Sequence, residues 1–223
     1  MRVRLNGTRG SVGRAGPTTV RYGGDTSSVE VTSTDGSVLV LDAGSGIVHA
    51  ACANQSTGRI DVLLTHLHMD HIQGLGFFGP LFELEVEVHV WGPVSTSKTL
   101  TARLARYLSP PLFPVSLRDL PSVTVHDLEP GGVDIGPYSI TADFIIHPGQ
   151  TFGYRIESEG RTIAYLPDHE PALGTGHIPS DPRWTSGHEL ADSVNLLIHD
   201  AQYTDEEYPD RIGWGHSSLS QAL

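Results

Sequence analysis

The chain has 223 residues, of which 38% are hydrophobic and 18% charged, so it can bury a core and is neither disordered nor collagen-like. Its net charge of −12 argues against a protein that tracks long nucleic acid or adheres to anionic membranes. A small phosphorylated substrate stays compatible with this charge, because a bound metal ion reverses the local field. The single cysteine, Cys52, excludes an intrachain disulfide and a cysteine-built zinc site. Without an apolar signal or membrane segment, we expect a soluble, cytoplasmic protein.

Apolar segments separated by turns rich in glycine and proline predict the secondary structure. Leu100, Leu104 and Leu108 recur at four-residue spacing, which predicts a helix within residues 97–108. Ser218 and Gln221 form a capping-box pattern that predicts the start of a final helix. Strands are predicted at residues 37–42, 60–65, 83–91, 138–146, 151–157, 162–166 and 194–198.

The segment 83–91 alternates apolar and polar residues, which predicts a half-exposed strand with Leu84 and Val86 on one face. Gly160 predicts a short turn between two of the later strands. Strands in groups, with few helices between them, predict an α+β protein with two sheets covered by helices. Since we find neither an internal repeat nor a linker, we expect a single domain over residues 1–223.

Three of the 12 histidines lie in one segment, Thr-His-Leu-His-Met-Asp-His at residues 65–71, directly after a predicted strand. In an extended chain His66 and His68 share a face, because side chains two apart point the same way. Asp70 and His71 then fall on the turn into a helix and can point to a second position nearby. A histidine-rich surface loop is the alternative, but burying these groups without a metal ion would be costly. The segment therefore predicts metal binding.

This segment resembles the signature of the metallo-β-lactamase fold superfamily. The Leu-Asp-Ala-Gly sequence at residues 41–44 is similar to the early Asp-x-Gly turn of that family. His147 and Asp168 lie where the family has its next ligand and its metal-bridging aspartate. The resemblance implies an α+β fold, a four-layer αβ/βα sandwich with metal ions between the two sheet edges.

Two later motifs point to one branch of the family. The segment 198–202, Ile-His-Asp-Ala-Gln, resembles the His-Glu-Ala-Thr motif of ribonuclease Z and its phosphodiesterase relatives. The segment 215–218, Gly-His-Ser-Ser, resembles their Gly-His-Ser motif. The segments 6–11 and 22–26 are also similar to that branch. The resemblance implies a hydrolase that attacks a phosphodiester with a metal-bound hydroxide.

The family also implies a role for each site residue. Asp70, His216 and His199 are the candidate catalytic residues: His216 would protonate the leaving oxygen, and His199 would orient a ligand or His216. Without a sulfur ligand, one or two zinc ions are expected, with manganese or iron left open. The implied metal ligands are His66, His68, His147 and Asp168 for the first ion, and Asp70, His71 and the shared Asp168 for the second.

Simpler interpretations of these residues remain open. His147 precedes Pro148-Gly149 and is compatible with a plain turn residue, and Asp168 is compatible with a helix N-cap. His216 is equally compatible with an ordinary loop residue, and His199 with a structural role. Arg9 and Arg21 are compatible with phosphate binding but also with solvated surface positions. No function is assigned to His49, His89, His126, His177 and His188.

Two features depart from the family pattern. Only seven residues follow His216, so the last ligand histidine of the family, with its strand and helix, is expected to be lacking. Truncation, a ligand from another subunit or a weak second site would each explain this, and we expect the first metal site to be better formed. The 21 residues from His147 to Asp168 leave no room for the protruding arm with which ribonuclease Z binds transfer RNA.

These features together predict a metal-dependent hydrolase of a small or cyclic nucleotide-like phosphodiester. One alternative is hydrolysis of carboxylic esters, thioesters, lactones or lactams on the same fold. Another is a non-catalytic member that binds a metal or ligand. We expect no long nucleic acid and no membrane among its partners. An uncovered sheet edge would favour a homo-oligomer.

Overall fold

The computed structural model describes residues 1–54, 58–172 and 178–223. They form two compact units, Met1–Leu128 and Glu129–Leu223, each built on one sheet. The single-domain organisation over residues 1–223 stays a prediction. Within the described ranges, no helix has the length and apolar character needed to cross a membrane.

Six strands form the sheet of the first unit, in the order in which they occur along the chain. The first three pair antiparallel and the last four pair parallel, so the carboxyl ends of the third and fourth strands lie at the same edge. Asp42 and the histidine-rich segment follow these two ends. The strands are β1 (Arg2–Gly7), β2 (Ser28–Thr32), β3 (Val38–Leu41), β4 (Gly58–Leu63), β5 (Val86–Pro93) and β6 (Val123–Leu128).

Short helices cover one face of this sheet. The predicted leucine spacing is confirmed, since Leu100, Leu104 and Leu108 are all fully buried in the core of the unit. The helix is shorter than predicted: it ends at Leu104, and the chain continues as turns toward Pro110. A helical backbone is disfavoured directly before a proline. The helices are α1 (Met69–Ile72) and α2 (Leu100–Leu104), with 3₁₀ segments Pro17–Thr19, Ser45–His49, Ala51–Asn54, Leu75–Phe77, Gly79–Phe82 and Leu117–Asp119.

Five strands form the sheet of the second unit. They are β7 (Gly131–Ile135), β8 (Tyr138–Phe144), β9 (Phe152–Ser158), β10 (Arg161–Leu166) and β11 (Leu196–His199). The sheet order is β11-β10-β9-β8-β7, with antiparallel pairs except for parallel β10 and β11. Glu159 and Gly160, with φ of 54° and 68°, make the tight turn from β9 to β10, as predicted. The β9–β10 hairpin accounts for most of the chain between His147 and Asp168, so no arm protrudes there.

The helices of the second unit are also short. The predicted capping box is confirmed: the Ser218 backbone N–H donates to Gln221 Oε1 at 3.1 Å, at the start of the last helix. The helices are α3 (His188–Ala191) and α4 (Leu219–Ala222), with 3₁₀ segments Pro182–Trp184 and Tyr208–Arg211.

The structure corrects the predicted start of β5. Leu84 was expected on the buried face of a strand over residues 83–91, but its side chain is 78% exposed. The strand begins only at Val86, so Leu84 lies outside the alternation. Four strands were not predicted: β1, β2, β6 and β7. In β1, β6 and β7, exposed polar residues interrupt the apolar pattern.

Candidate metal centre

The histidine-rich segment brings its imidazoles together at the end of β4. The ring centroid of His66 lies 4.4 Å from that of His68 and 4.2 Å from that of His71. His66 and His71 are buried, whereas His68 is exposed. Asp70 and His71 lie in α1, whose N-cap is His68, so the turn from strand into helix places the four candidate ligands side by side.

Asp42 is a buried carboxylate that holds this segment in place. Its Oδ1 accepts the Thr65 backbone N–H at 2.7 Å, and its Oδ2 contacts His71 Nδ1 at 2.7 Å. The Thr65 hydroxyl lies within 3.0 Å of both carboxylate oxygens and donates its proton there, so it accepts from His66 Nδ1 at 3.0 Å. The sequence analysis gave Asp42 no role. Its place in the Asp-Ala-Gly turn directly after a strand could have pointed to one.

Asp70 has a second contact within the first unit. The Ser11 backbone N–H donates to Asp70 Oδ2 at 2.7 Å. The same oxygen lies 3.8 Å from His71 Nε2. The segment after β1 therefore lies against a candidate metal ligand, and it helps to fix the orientation of that carboxylate.

The candidate ligands of the second unit follow the ends of its strands. His147 comes after β8, and Asp168 and Asp200 come after the parallel strands β10 and β11, so they lie at one sheet edge. His147 Nε2 lies 3.6 Å from Asp168 Oδ2. The other ring nitrogen of His147, Nδ1, contacts the Gly215 carbonyl oxygen at 2.8 Å. Since a carbonyl oxygen only accepts, Nδ1 carries the proton and Nε2 the lone pair.

His216 is paired with Asp200. Its Nδ1 lies 2.6 Å from Asp200 Oδ2, and one ligand atom each from Asp168, Asp200 and His216 lie within 4.8 Å of one another. The backbone N–H groups of Gln202 and Ser217 also donate to Asp200, at 2.8 and 3.3 Å. Sequence reasoning missed Asp200 itself, although it replaces the glutamate of the motif that was singled out.

His199, which was expected to orient a ligand or His216, lies beside Asp200 and His169. His199 Nδ1 contacts the Asp200 carbonyl oxygen at 2.7 Å, and its Nε2 contacts His169 Nδ1 at 2.9 Å. His216 contacts the Asp200 side chain, and its ring lies near those of His147 and Tyr203. Burial, followed by the neighbouring imidazoles, lowers the pKa of His169 to about 3, and burial also lowers the pKa of His199. The two form a neutral imidazole pair at physiological pH.

The donor chemistry in each unit fits a divalent cation. His66, His71 and His147 each direct Nδ1 to an oxygen acceptor, which leaves Nε2 as the ligand atom. Such outer hydrogen bonds fix the orientation of a metal-binding imidazole and raise its basicity. Nitrogen and carboxylate donors without sulfur suit zinc and also admit manganese or iron.

Comparison with known proteins gives the family. The model of the beta-lactamase superfamily domain matches residues 38–223. The chain belongs to the beta-lactamase superfamily. The chain is 29% identical over 266 aligned positions to ribonuclease Z of Haloarcula marismortui, covering 100% of this chain and 80% of that protein. It is 26% identical to ribonuclease Z of Gemmatimonas aurantiaca, covering 84% of this chain and 72% of that protein.

Solved structures of this superfamily confirm the α+β metallo-β-lactamase fold. The fold protein YhfI of Bacillus subtilis has a TM-score of 0.67 at 20% identity and covers 97% of this chain and 77% of that one. Zn²⁺-bound PqqB of Methylobacterium extorquens has a TM-score of 0.63 at 18% identity. The match covers 98% of this chain and 80% of PqqB. With its family and its clusters of histidine and aspartate, the chain is a metal-dependent hydrolase.

Among the described residues, His49, His89, His126 and His188 belong to none of these clusters. His49 pairs with Asp25 at 3.2 Å, and His89 pairs with His126 at 2.9 Å on neighbouring strands. His188 begins α3. His177 lies outside the described residues. No function is assigned to the other four.

Proposed function

We propose that the chain hydrolyses phosphodiesters at a divalent metal centre. When bound, a divalent ion such as zinc supplies Lewis-acid activation of water and stabilises negative charge on the phosphoryl oxygens. Each proposed ligand belongs to one of the two clusters described above. The proposed ligands are His66, His68, Asp70, His71, His147 and Asp168.

His216 is the proposed acid for the leaving oxygen, and its pair with Asp200 is the observation that carries the proposal. The 2.6 Å contact directs Nδ1 to the carboxylate and so orients the imidazole, and when the ring is cationic its Nε2 holds a transferable proton. The Asp200 carboxylate is itself fixed by the backbone donors of Gln202 and Ser217. An appended histidine–carboxylate pair is expected for a poor alkoxide leaving group. Hydrolysis of an activated carboxylic ester has less need of it.

We further propose a small or cyclic phosphodiester as the preferred substrate. The net charge of −12 disfavours long polyanions, and the β9–β10 connection is only a hairpin. The curated relatives are named ribonucleases, so RNA is the competing substrate class. Turnover of a 2′,3′-cyclic nucleotide and of a 3′-extended RNA would be compared at equal metal loading. Cleavage of the RNA alone would contradict the small-substrate proposal.

The acid role is tested with His216→Ala on two phosphodiesters that share one scaffold and differ in leaving group. With an alkyl leaving group we expect kcat to fall by roughly 10²–10⁴-fold, because proton donation is lost. With p-nitrophenolate, which leaves without a proton, we expect a much smaller loss. Metal content should equal that of the parent.

His188→Ala is the matched control, since His188 lies in the same unit and has no assigned role. It should behave like the parent on both substrates. An equal loss for both leaving groups would contradict the acid role of His216. Turnover of p-nitrophenyl acetate without turnover of any phosphodiester would instead support the carboxylic-ester alternative.

A further inference from the structure

Glu170 is a fully buried carboxylate that the proposed reaction does not use. Its Oε1 accepts the Tyr208 hydroxyl at 2.9 Å and the Gly213 backbone N–H at 2.9 Å. Its Oε2 accepts the Gly215 backbone N–H at 2.8 Å and contacts Gly213 N at 3.1 Å. Every one of these partners is a donor, so the side chain works purely as an acceptor. Burying such a group is costly unless it is fully hydrogen-bonded, and here it is.

The loop that Glu170 binds carries the contact to His147. Gly213 and Gly215 have φ of 87° and 84°, a backbone conformation that lets both N–H groups turn toward the same carboxylate. The Gly215 carbonyl, on the far side of that residue, then accepts from His147 Nδ1 at 2.8 Å. A Cβ atom at Gly215 would lie 2.5 Å from His147 Nδ1 and 2.2 Å from Pro148 Cδ. The loop therefore packs against His147 without spare room.

Glu170 also holds the other side of His147. Its backbone N–H donates to the Ile146 carbonyl oxygen at 2.9 Å, next to His147 in the chain. One residue thus joins the segment that carries the imidazole to the loop that fixes its tautomer. Burial, with the charge of Glu170 adding to it, raises the pKa of Tyr208, so its hydroxyl stays a donor at neutral pH.

We propose that Glu170 is a positioning residue, which holds the loop 213–215 so that the Gly215 carbonyl fixes His147 with its Nε2 lone pair directed toward the metal. The inference rests on the proposed function only in taking His147 as a ligand. The positioning needs no substrate, because all the contacts lie within the second unit. It is therefore measurable without turnover.

The test uses Glu170→Gln, which replaces one acceptor oxygen with a donor amide facing the same N–H groups. In the metal-free parent, ¹⁵N-edited spectra of the imidazoles should show His147 in its Nδ1–H form. In Glu170→Gln we expect a mixture of tautomers at His147. Zn²⁺ affinity, measured by chelator competition, should fall by roughly 10–100-fold, the usual effect of losing such an outer partner.

Two variants serve as controls. Glu157→Gln changes an exposed glutamate of the same unit and should leave both readouts at parent values. Tyr208→Phe removes one donor but keeps both backbone contacts, so His147 should keep its Nδ1–H form. Should Glu170→Gln fail to fold, Gly213→Ala strains the same loop, because Gly213 has a φ of 87°. It should then give the same mixture of tautomers and the same loss of affinity.

A folded Glu170→Gln, or Gly213→Ala in its place, with an unchanged His147 tautomer and parent Zn²⁺ affinity would overturn the inference. A loss of stability alone, with both readouts unchanged, would show a merely structural role and would overturn it as well. Absence of phosphodiester turnover in the parent would count against the proposed function and leave the two readouts for Glu170 intact.

Discussion

Buried carboxylates organise the candidate ligands at the level of single residues. Asp42 holds Thr65 and His71 in the first unit, and Asp200 holds His216 in the second. Asp42 orients His71, a proposed metal ligand, with Nε2 away from the carboxylate, whereas Asp200 orients His216, the proposed acid.

We expect Asp42→Asn to lower Zn²⁺ affinity by roughly 10–100-fold, since an amide cannot accept from the Thr65 backbone, the Thr65 hydroxyl and His71 together. Isothermal titration of the metal-free protein with Zn²⁺ measures this. Asp119→Asn, a change at an exposed position, is the matched control and should bind as the parent does. Parent-like affinity in Asp42→Asn would rule out the role assigned to Asp42.

Cys52 is expected to be chemically inert in the folded chain. Burial, followed by the nearby charge of Glu30, raises the pKa of its thiol to about 12, so the reactive thiolate is scarce at neutral pH. Iodoacetamide should leave the native protein unlabelled and should label the unfolded chain in denaturant. Labelling of the native protein at the unfolded rate would show that the thiol is accessible.

Among the secondary-structure elements, the strands with continuous apolar residues could be predicted from the sequence, and β3, β4, β8, β9 and β10 lie within two or three residues of expectation. Edge strand β1 could not, because its exposed arginines hide the alternation. The ligand types of the histidine-rich segment were also readable from their spacing. The hydrogen-bond partners of the candidate ligands were not readable, since Asp42, which contacts His71, and Gly215, which contacts His147, are distant from them in sequence. Only the fold brings each pair close.

The leucines of α2 provide a stability test. Leu104 is fully buried, so Leu104→Ala should destabilise the chain by about 2–5 kcal/mol through lost burial and the cavity it leaves. Leu84→Ala, at a residue that is 78% exposed, should change the free energy of unfolding little. Urea denaturation of both variants measures the difference. An equal loss of unfolding free energy in Leu104→Ala and Leu84→Ala would contradict the packing described for α2 and the start of β5.

Neighbouring strands β5 and β6 carry a pH-dependent element. Burial, then the charge on His89 and more weakly Arg59, lowers the pKa of His126, while Asp61 opposes them. His126 also stacks on Trp91, with ring centroids 3.8 Å apart. Because the unfolded pKa is about 6.5, the unfolded chain takes up the proton first as pH falls.

The contribution of His126 to stability is therefore present above about pH 6.5 and is lost as the pH falls below it. We expect His126→Gln to lose less free energy of unfolding than the parent between neutral and mildly acidic pH. Urea titrations across that range measure it. His169 and His199 act with the same sign in both proteins, so they cancel in the difference. If the free energy of unfolding of the parent and of His126→Gln changed equally with pH, the role assigned to His126 would be wrong.

At the scale of the whole molecule, charge is distributed unevenly. The chain has a net charge of −12, yet residues 1–24 contain five arginines and no acidic residue. Part of this segment lies at the first-unit cluster, where Ser11 contacts Asp70. A phosphate would thus meet positive charge near the proposed site, while long polyanions would meet the acidic remainder.

The central claim is that the chain binds a divalent metal through the candidate ligands of its histidine and aspartate clusters. Zinc content per chain after equilibration and gel filtration tests it most directly, in the parent, His66→Ala and His147→Ala. The account predicts bound zinc in the parent and a clear loss in each variant. A parent without zinc, or parent zinc content in both variants, would contradict it.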